Sequence, residues 1–415
     1  MKTAVSRFAL SVSFVAATFA AATPAVAGTP GAPIKVSDDL TIDPIIEGRL
    51  RWEHVDQDDA NLDADAVTMR LRAGAEFKLN HLSFLVEGEG TLGLLNDFND
   101  TNTGNGVEPH SVVADPQNID LNRIQVAYKV NGNGVTIGRQ RINLDDQRWV
   151  GSVGWRQNEQ TFDAVRGEAK IGPVALDATV SWSQRTIFGI DAGPRQAFDG
   201  TYYFLGAGVK AGPVNLKGFA YLLDFDDVLQ VANSSKTFGL RATTELPLSK
   251  AVKLDMIGSY ARQSDWKNPV KNYDADFINA EAGIAFKGLR VAGGYELLGS
   301  DNGFALQTPM ATLHKFNGWA DAFLTTPADG LQDAYGSLSY KVGDMGMLKG
   351  INAMVSYHQF DSDVGDVEYG TEWNAQLGFK VKQFAILAKY ANYNAVSYPV
   401  SGDIEKFWLE LSFAY

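Results

Sequence analysis

Residues 67–79 read VTMRLRAGAEFKL. Taken by twos, Val67, Met69, Leu71, Ala73, Ala75, Phe77 and Leu79 fall on one side, and Thr68, Arg70, Arg72, Gly74, Glu76 and Lys78 on the other. Successive side chains of a β-strand point to opposite faces, so this is a strand with one oily and one charged face. A soluble sandwich strand alternates too, but here the pattern runs 13 residues. An ordinary strand has about 5 or 6 residues, whereas a tilted bilayer-spanning strand needs about 9 to 11.

The rhythm returns from 47–53 through 82–92 and 119–130 to 384–394 and 405–415, about 18 strands in all. Connections alternate in length. Tight turns such as Asn131-Gly132-Asn133-Gly134 and Gly172-Pro173 contrast with long insertions at 93–118 and 299–330. An even strand number with short turns at one end and long loops at the other describes an outer-membrane barrel. A β-helix or propeller would repeat a sequence unit, and none is present. In hydrocarbon an unpaired backbone group costs several kcal/mol, so the sheet must close on itself. The expected fold is all-β, a transmembrane antiparallel up-and-down barrel. The final strand alternates Phe407, Leu409, Leu411, Phe413 and Tyr415 with Lys406, Trp408, Glu410, Ser412 and Ala414. Its terminal aromatic resembles the assembly signal of such barrels.

Residues 1–27 read as a signal peptide: Lys2 and Arg7, an apolar run, then Ala25-Val26-Ala27. Pro30, Pro33 and Pro44 mark 28–44 as a flexible lead-in, leaving 45–415 as the barrel. No later stretch approaches the roughly 20 apolar residues of a membrane helix. The chain has no Cys, which excludes disulfides and thiolate metal sites. A net charge of −13 argues against nucleic acid as a partner.

A bore of about 18 strands holds an aqueous channel, so its lining carries the chemistry. Alternation turns Arg49, Arg51, Arg70, Arg72, Arg123, Arg166, Arg185, Arg241 and Arg290 inward, interleaved with acids such as Glu47, Glu281, Glu296, Glu372 and Glu410. Arg49, Arg51, Arg70 and Arg72 come from adjacent strands at two-residue spacing and should crowd one patch. Arg139 and Arg141 lie where the phase is ambiguous. Two readings stay open: ion pairs that brace the wall, or a zone that selects anions, since guanidinium binds carboxylate with a bidentate fork. None of His54, His81, His110, His314 and His358 sits in a motif with Ser or Asp, so no catalytic site, cofactor or metal is expected. The acids between Asp56 and Asp65 lack EF-hand spacing.

Two runs carry a family likeness. Gly138-Arg139-Gln140-Arg141-Ile142-Asn143-Leu144-Asp145-Asp146-Gln147-Arg148-Trp149-Val150-Gly151, with Trp155-Arg156-Gln157-Asn158 and Gln160-Thr161-Phe162-Asp163, resembles a segment of alginate export proteins. Phe316-Asn317-Gly318-Trp319-Ala320-Asp321, Phe323-Leu324-Thr325-Thr326-Pro327 and Gly330-Leu331-Gln332-Asp333 are similar to a second. The resemblance implies an 18-stranded outer-membrane barrel with an arginine-rich constriction that passes a polyuronate. It puts Arg139, Arg141, Arg148 and Asp163 in the pore or its lining, and Trp319 and Asp321 near the mouth or folded inward.

The expected function is a channel for anionic sugars, oligo- or polyuronates, or other carboxylates across a Gram-negative outer membrane. Its partners would be outer-membrane lipid, the anionic solute and a periplasmic secretion component. The alternatives are a plugged structural or receptor barrel, a general uptake porin, and an outer-membrane enzyme.

Overall fold

A computed structural model describes residues 33–267, 271–400 and 402–414. The signal-peptide segment 1–27 lies outside the described residues. Eighteen strands form one closed antiparallel sheet. They are β1 (Leu40–Gln57), β2 (Ala64–Leu79), β3 (Leu82–Asp97), β4 (Asn118–Val130), β5 (Asn133–Gln140), β6 (Thr161–Ile171), β7 (Val174–Arg185), β8 (Ala197–Ala211) and β9 (Val214–Phe225). They continue as β10 (Ser235–Pro247), β11 (Val252–Asp265), β12 (Asp274–Phe286), β13 (Leu289–Leu298), β14 (Leu331–Met345), β15 (Leu348–Asp361), β16 (Glu368–Val381), β17 (Phe384–Ala395) and β18 (Ile404–Ala414). Each strand pairs with its sequence neighbours, and β1 also pairs with β18, with Glu47 opposite Ala414 and Arg51 opposite Glu410. That last ladder removes both edges, as backbone in hydrocarbon requires.

The two-residue alternation is realised through the wall. In β2, Thr68, Arg70 and Arg72 are buried inward while Met69, Leu71 and Phe77 are exposed on the outer face. The short turns share one end. Asn131 and Gly132, at φ 51° and 81°, close the β4–β5 hairpin with the left-handed backbone that its twist demands. The long connections share the other end, which is the outer side of such a barrel.

The first strand corrects the expected boundary at residue 45. It begins at Leu40, and Ile34–Lys35 folds back to pair with Thr41 and Ile42. Pro44 sits inside it, opposite Ala75 of β2, which the lead-in reading did not allow. The reason is positional: the ladder to β18 starts only at Glu47, so one side of Pro44 needs no N–H donor. Most other strands run past their expected ends too, because outside the lipid the outer face need not be oily while the ladder continues.

A bulge in the β3–β4 ladder, between Glu87 and Gly88, turns both Asn122 and Arg123 inward. The main apolar cluster lies inside the cylinder, where Ile142, Trp155, Met310 and Trp319 of two long connections meet wall residues such as Phe277, Tyr393 and Trp408.

Leu71, half exposed at mid-strand between two inward arginines, gives a direct test of the orientation. Leu71→Arg is expected to cost about 2–4 kcal/mol in equilibrium folding into lipid vesicles. An unchanged folding free energy would contradict a lipid-facing Leu71.

Candidate functional site

Two connections fold into the lumen, residues 141–160 and 299–330. The first leaves β5 and crosses to the far wall, where Lys217 of β9 meets Asp145 at 3.1 Å and Arg241 of β10 meets Asp146 at 2.8 Å. Its path bends through left-handed backbone at Asp145, Gln147 and Val153, with φ of 52°, 71° and 52°. The two connections hold each other. Arg148 donates to Thr308 Oγ1 at 3.0 Å and Asn317 Oδ1 at 3.1 Å, pairs with Glu296 at 3.0 Å, and covers the Phe316 ring at 4.8 Å. The Gly151 N–H donates to the Met310 carbonyl at 2.9 Å.

Arg49, Arg51, Arg70 and Arg72 do form one patch, with Arg49 and Arg70 directly opposite in register. They are covered by the first connection and all are buried. Arg49 donates to the carbonyls of Gly154 (3.1 Å), Trp155 (3.0 Å) and Arg156 (3.1 Å). Arg51 Nη2 reaches the Trp155 carbonyl and Glu410 Oε2, both at 2.6 Å, and its guanidinium lies 4.0 Å from the Trp155 ring centroid. Arg72 bonds Glu89 and approaches Glu47 at 3.6 Å and Glu159 at 3.4 Å. Arg70 approaches Glu47 at 3.7 Å. Glu159 shows how tight the balance is. Burial alone would raise its carboxyl, but the Arg141 and Arg72 guanidiniums bring it down to about 2. Arg49 and Arg51 clamp backbone, Arg70 and Arg72 pair with buried acids, and none of the four faces a free passage.

Five of the remaining arginines behave differently, while Arg290 of β13, 19% exposed, is held on another wall by Asp255 and Glu281. Arg123, Arg139, Arg141, Arg166 and Arg185 stay 14–20% exposed along one wall, β4 to β7 and the residue that follows β5. By register, Arg166 is nearest the short turns, Arg139 opposite Asp163 comes next, and Arg123, Arg141 and Arg185 lie above. Asp163 holds Arg139 with a bidentate fork at 2.8 and 3.1 Å. Asp120 holds Arg185 at 3.2 Å, and Glu87 takes Arg123 at 2.5 and 2.8 Å.

In the second half of the site the family likeness leaves Trp319 and Asp321 either near the mouth or folded inward, and assigns no role to Arg156, His314 or His358. Arg156 bridges Glu53 at 3.2 Å and Asp321 at 2.8 Å. Trp319 and Asp321 are folded inward, and the Trp319 and Ala320 amides donate to Glu372 Oε1 at 2.5 and 3.0 Å. Two histidine pairs match no recognisable linear motif: His314 with Asp321 of the same connection at 2.8 Å, and His358 with Asp333 of β14 at 2.9 Å and Ser356 of its own strand at 3.3 Å. The Ser356–His358–Asp333 order is that of a hydrolase relay. Its cavity of about 60 Å³ is also lined by Glu281 and Glu296, whose charges oppose the oxyanion that acyl transfer must stabilise. Towards the long loops a larger cavity, about 640 Å³, is lined by Arg156, Gln160, Gln184, Arg195, Gln307 and Lys406.

Removing one partner of a buried ion pair strands the other and costs about 3–5 kcal/mol. Arg51→Ala is therefore expected to free the first connection, so that trypsin cuts the folded barrel after Arg148 or Arg156 on the order of a hundredfold faster. An unchanged cutting rate would show that the clamp lies elsewhere.

Comparison with known proteins agrees with this architecture. Among solved structures, the barrel resembles Pseudomonas aeruginosa OpdO (TM-score 0.67, 15% identity, covering 91% of this chain and 97% of that one). It also resembles Acinetobacter baumannii OccAB4 (0.69, 13%, 91% and 98%) and Pseudomonas aeruginosa OpdK solved with vanillate (0.68, 12%, 90% and 98%). At such identities the likeness is one of fold. No curated protein sequence matches the chain. The alginate export family model matches residues 46–292, more than half of the chain, and covers the first inward connection but not the second. With its closed barrel and this match, the chain belongs to the alginate export family, as a channel protein of the Gram-negative outer membrane.

Proposed function

We propose that this channel passes small carboxylate-bearing solutes along the β4–β7 wall, past the constriction made by the two inward connections. The observation that carries this reading is the division of the arginines. Those that clamp backbone are buried, whereas Arg123, Arg139, Arg141, Arg166 and Arg185 form a water-facing series from the short turns up to the constriction. A carboxylate moving along this series exchanges its hydration for successive guanidiniums, and the acid beside each one competes with it. Binding is then weak and repeated, which transit requires. The filling of the lumen by residues 141–160 and 299–330 favours a single small or thin solute over a bulky one. OpdK, similar in fold, was solved with the aromatic carboxylate vanillate, a solute class that fits this reading. A uronate or other sugar acid carries the same recognisable group.

A second reading, a plugged structural or receptor barrel, is favoured by the apolar cluster that ties both connections to the wall. Planar-bilayer recordings separate the two, since a plug gives negligible conductance. For a channel, Arg139→Ala combined with Arg185→Ala is expected to lower the anion-to-cation permeability ratio severalfold in a salt gradient. Their partners Asp163 and Asp120 remain in contact with water, so the barrel should keep its fold. An unchanged reversal potential would remove the water-facing arginines from the selectivity mechanism.

A further inference from the structure

The second inward connection carries a strap, residues 313–321, held by contacts that differ in their response to protons. Asn317 Nδ2 donates to Glu296 Oε1 at 3.0 Å, and Glu372 accepts the Trp319 and Ala320 amides. Asn317 also accepts from Arg148 at 3.1 Å, Lys315 Nζ donates to the Asp146 carbonyl at 2.8 Å, and Asp321 pairs with Arg156 and Lys406. Within the strap itself, the contact that can change its proton count near neutrality is His314. Its ring stacks on Trp155 at 4.5 Å and 6°, and meets Trp408 edge-on at 5.6 Å. Nδ1 lies 2.8 Å from Asp321 Oδ1, and Nε2 lies 2.8 Å from Lys389 Nζ of β17.

Lys389 is 1% exposed, and its ammonium nitrogen sits 3.8 Å from the Trp319 ring centroid and 4.0 Å from that of Trp155. As an ammonium Lys389 has only donors to offer, so His314 Nε2 accepts from it, and the proton on Nδ1 goes to Asp321. That imidazole is neutral. A further proton can go only onto Nε2, where it would face the Lys389 donors at 2.8 Å.

We propose that the strap is a pH-operated gate: protonation of His314 breaks its contact with Lys389 and releases residues 313–321 from the lumen wall. The gate rests on the reading of the lumen as a conducting path. The surrounding charges fit the assignment. Asp321 is tied to Arg156 at 2.8 Å and Lys406 at 3.4 Å, and Arg156 in turn to Glu53 of β1. Glu410 of β18 is held by Arg51, leaving Asp321 as the one carboxylate among the described residues that bonds His314. Burial pushes the His314 imidazole well below its ordinary value of 6.5; Asp321 opposes this, and Lys389 and Arg156 add to it. Asp321 itself stays ionised: burial would raise its carboxyl, but His314, Lys406 and Arg156 hold it well below the usual range.

The sign follows from these shifts. The released strap, with His314 in water, binds a proton that the closed strap refuses. Closure is therefore fully favoured above the ordinary histidine value of 6.5 and weakens progressively as pH falls below it. Below it, the ratio of open to closed strap rises about tenfold per pH unit until the closed form also titrates.

Conductance in planar bilayers between pH 8 and pH 5 tests the gate, and thiol accessibility supplies a readout that does not depend on conduction. The native chain has no Cys, so Ala320→Cys, at a site 1% exposed, reports opening when its reaction with a methanethiosulfonate reagent is normalised to Val228→Cys, at 84%. Both signals are expected to rise on acidification. His314→Phe keeps the stack on Trp155, and His314→Gln keeps an acceptor for Lys389; neither can gain the proton, so both should be flat with pH. Glu372, which accepts the strap amides, is common to all three proteins, so a response that survives in both variants would belong to it and not to His314. Thiol reactivity that is flat with pH in the unsubstituted-histidine protein, or a pH response that survives in both variants, overturns the gate. Thiol release with no conductance at any pH would instead leave the gate standing and remove the channel reading.

Discussion

A buried guanidinium has five N–H donors and no acceptor, so once Arg49 and Arg51 turn inward they need oxygen atoms around them. The wall supplies Glu410, but most of the oxygens come from the backbone of residues 154–156. That requirement draws the first connection into the lumen. The connection then brings Arg148, which fastens the second one through Thr308, Asn317 and Glu296. The interior is thus built outward from one pair of arginines, on a wall whose closure is imposed by lipid.

The same chemistry has opposite uses a few residues apart. Where a carbonyl, a carboxylate and an aromatic ring bury an arginine, as at Arg51, it fixes structure. Where an acid and a carbonyl hold it and water still reaches it, as at Arg139 beside Asp163 and Leu121, it stays available to a passing anion. Burying an ion pair returns little net stability, because desolvation offsets attraction. Its value here lies in specifying where the connections sit. The net charge of −13 coexists with this lining because net charge says nothing about where the charges point.

The wall was legible in the sequence because its period is two: a one-residue slip would turn every lipid-facing side chain inward, so register and face are specified together. All eighteen strands and the inward set of arginines followed from that rule. It failed where the period breaks. The bulge beside Glu87 turns Asn122 inward next to the expected Arg123, and Pro44 is tolerated because β18 ends opposite Glu47. Alternation also cannot separate a buried arginine from a wet one, since that depends on connections without periodicity. Their partners Asp115, Glu159 and Asp321 all lie outside the strands. One signal was present. Ile142, Leu144, Trp149, Val150 and Trp155 give the first connection an apolar load that a solvated outer loop does not need.

Amide hydrogen exchange of the folded protein in lipid nanodiscs tests the clamped interior most directly. The amides of Gly151, Gln157, Gln160 and Trp319 are bonded within the lumen. They should exchange as slowly as strand amides and far more slowly than the outer connection at residues 226–234. Exchange of those four amides at the rate of the outer connection would mean that the arginines do not hold the interior, and the account built on them would fail.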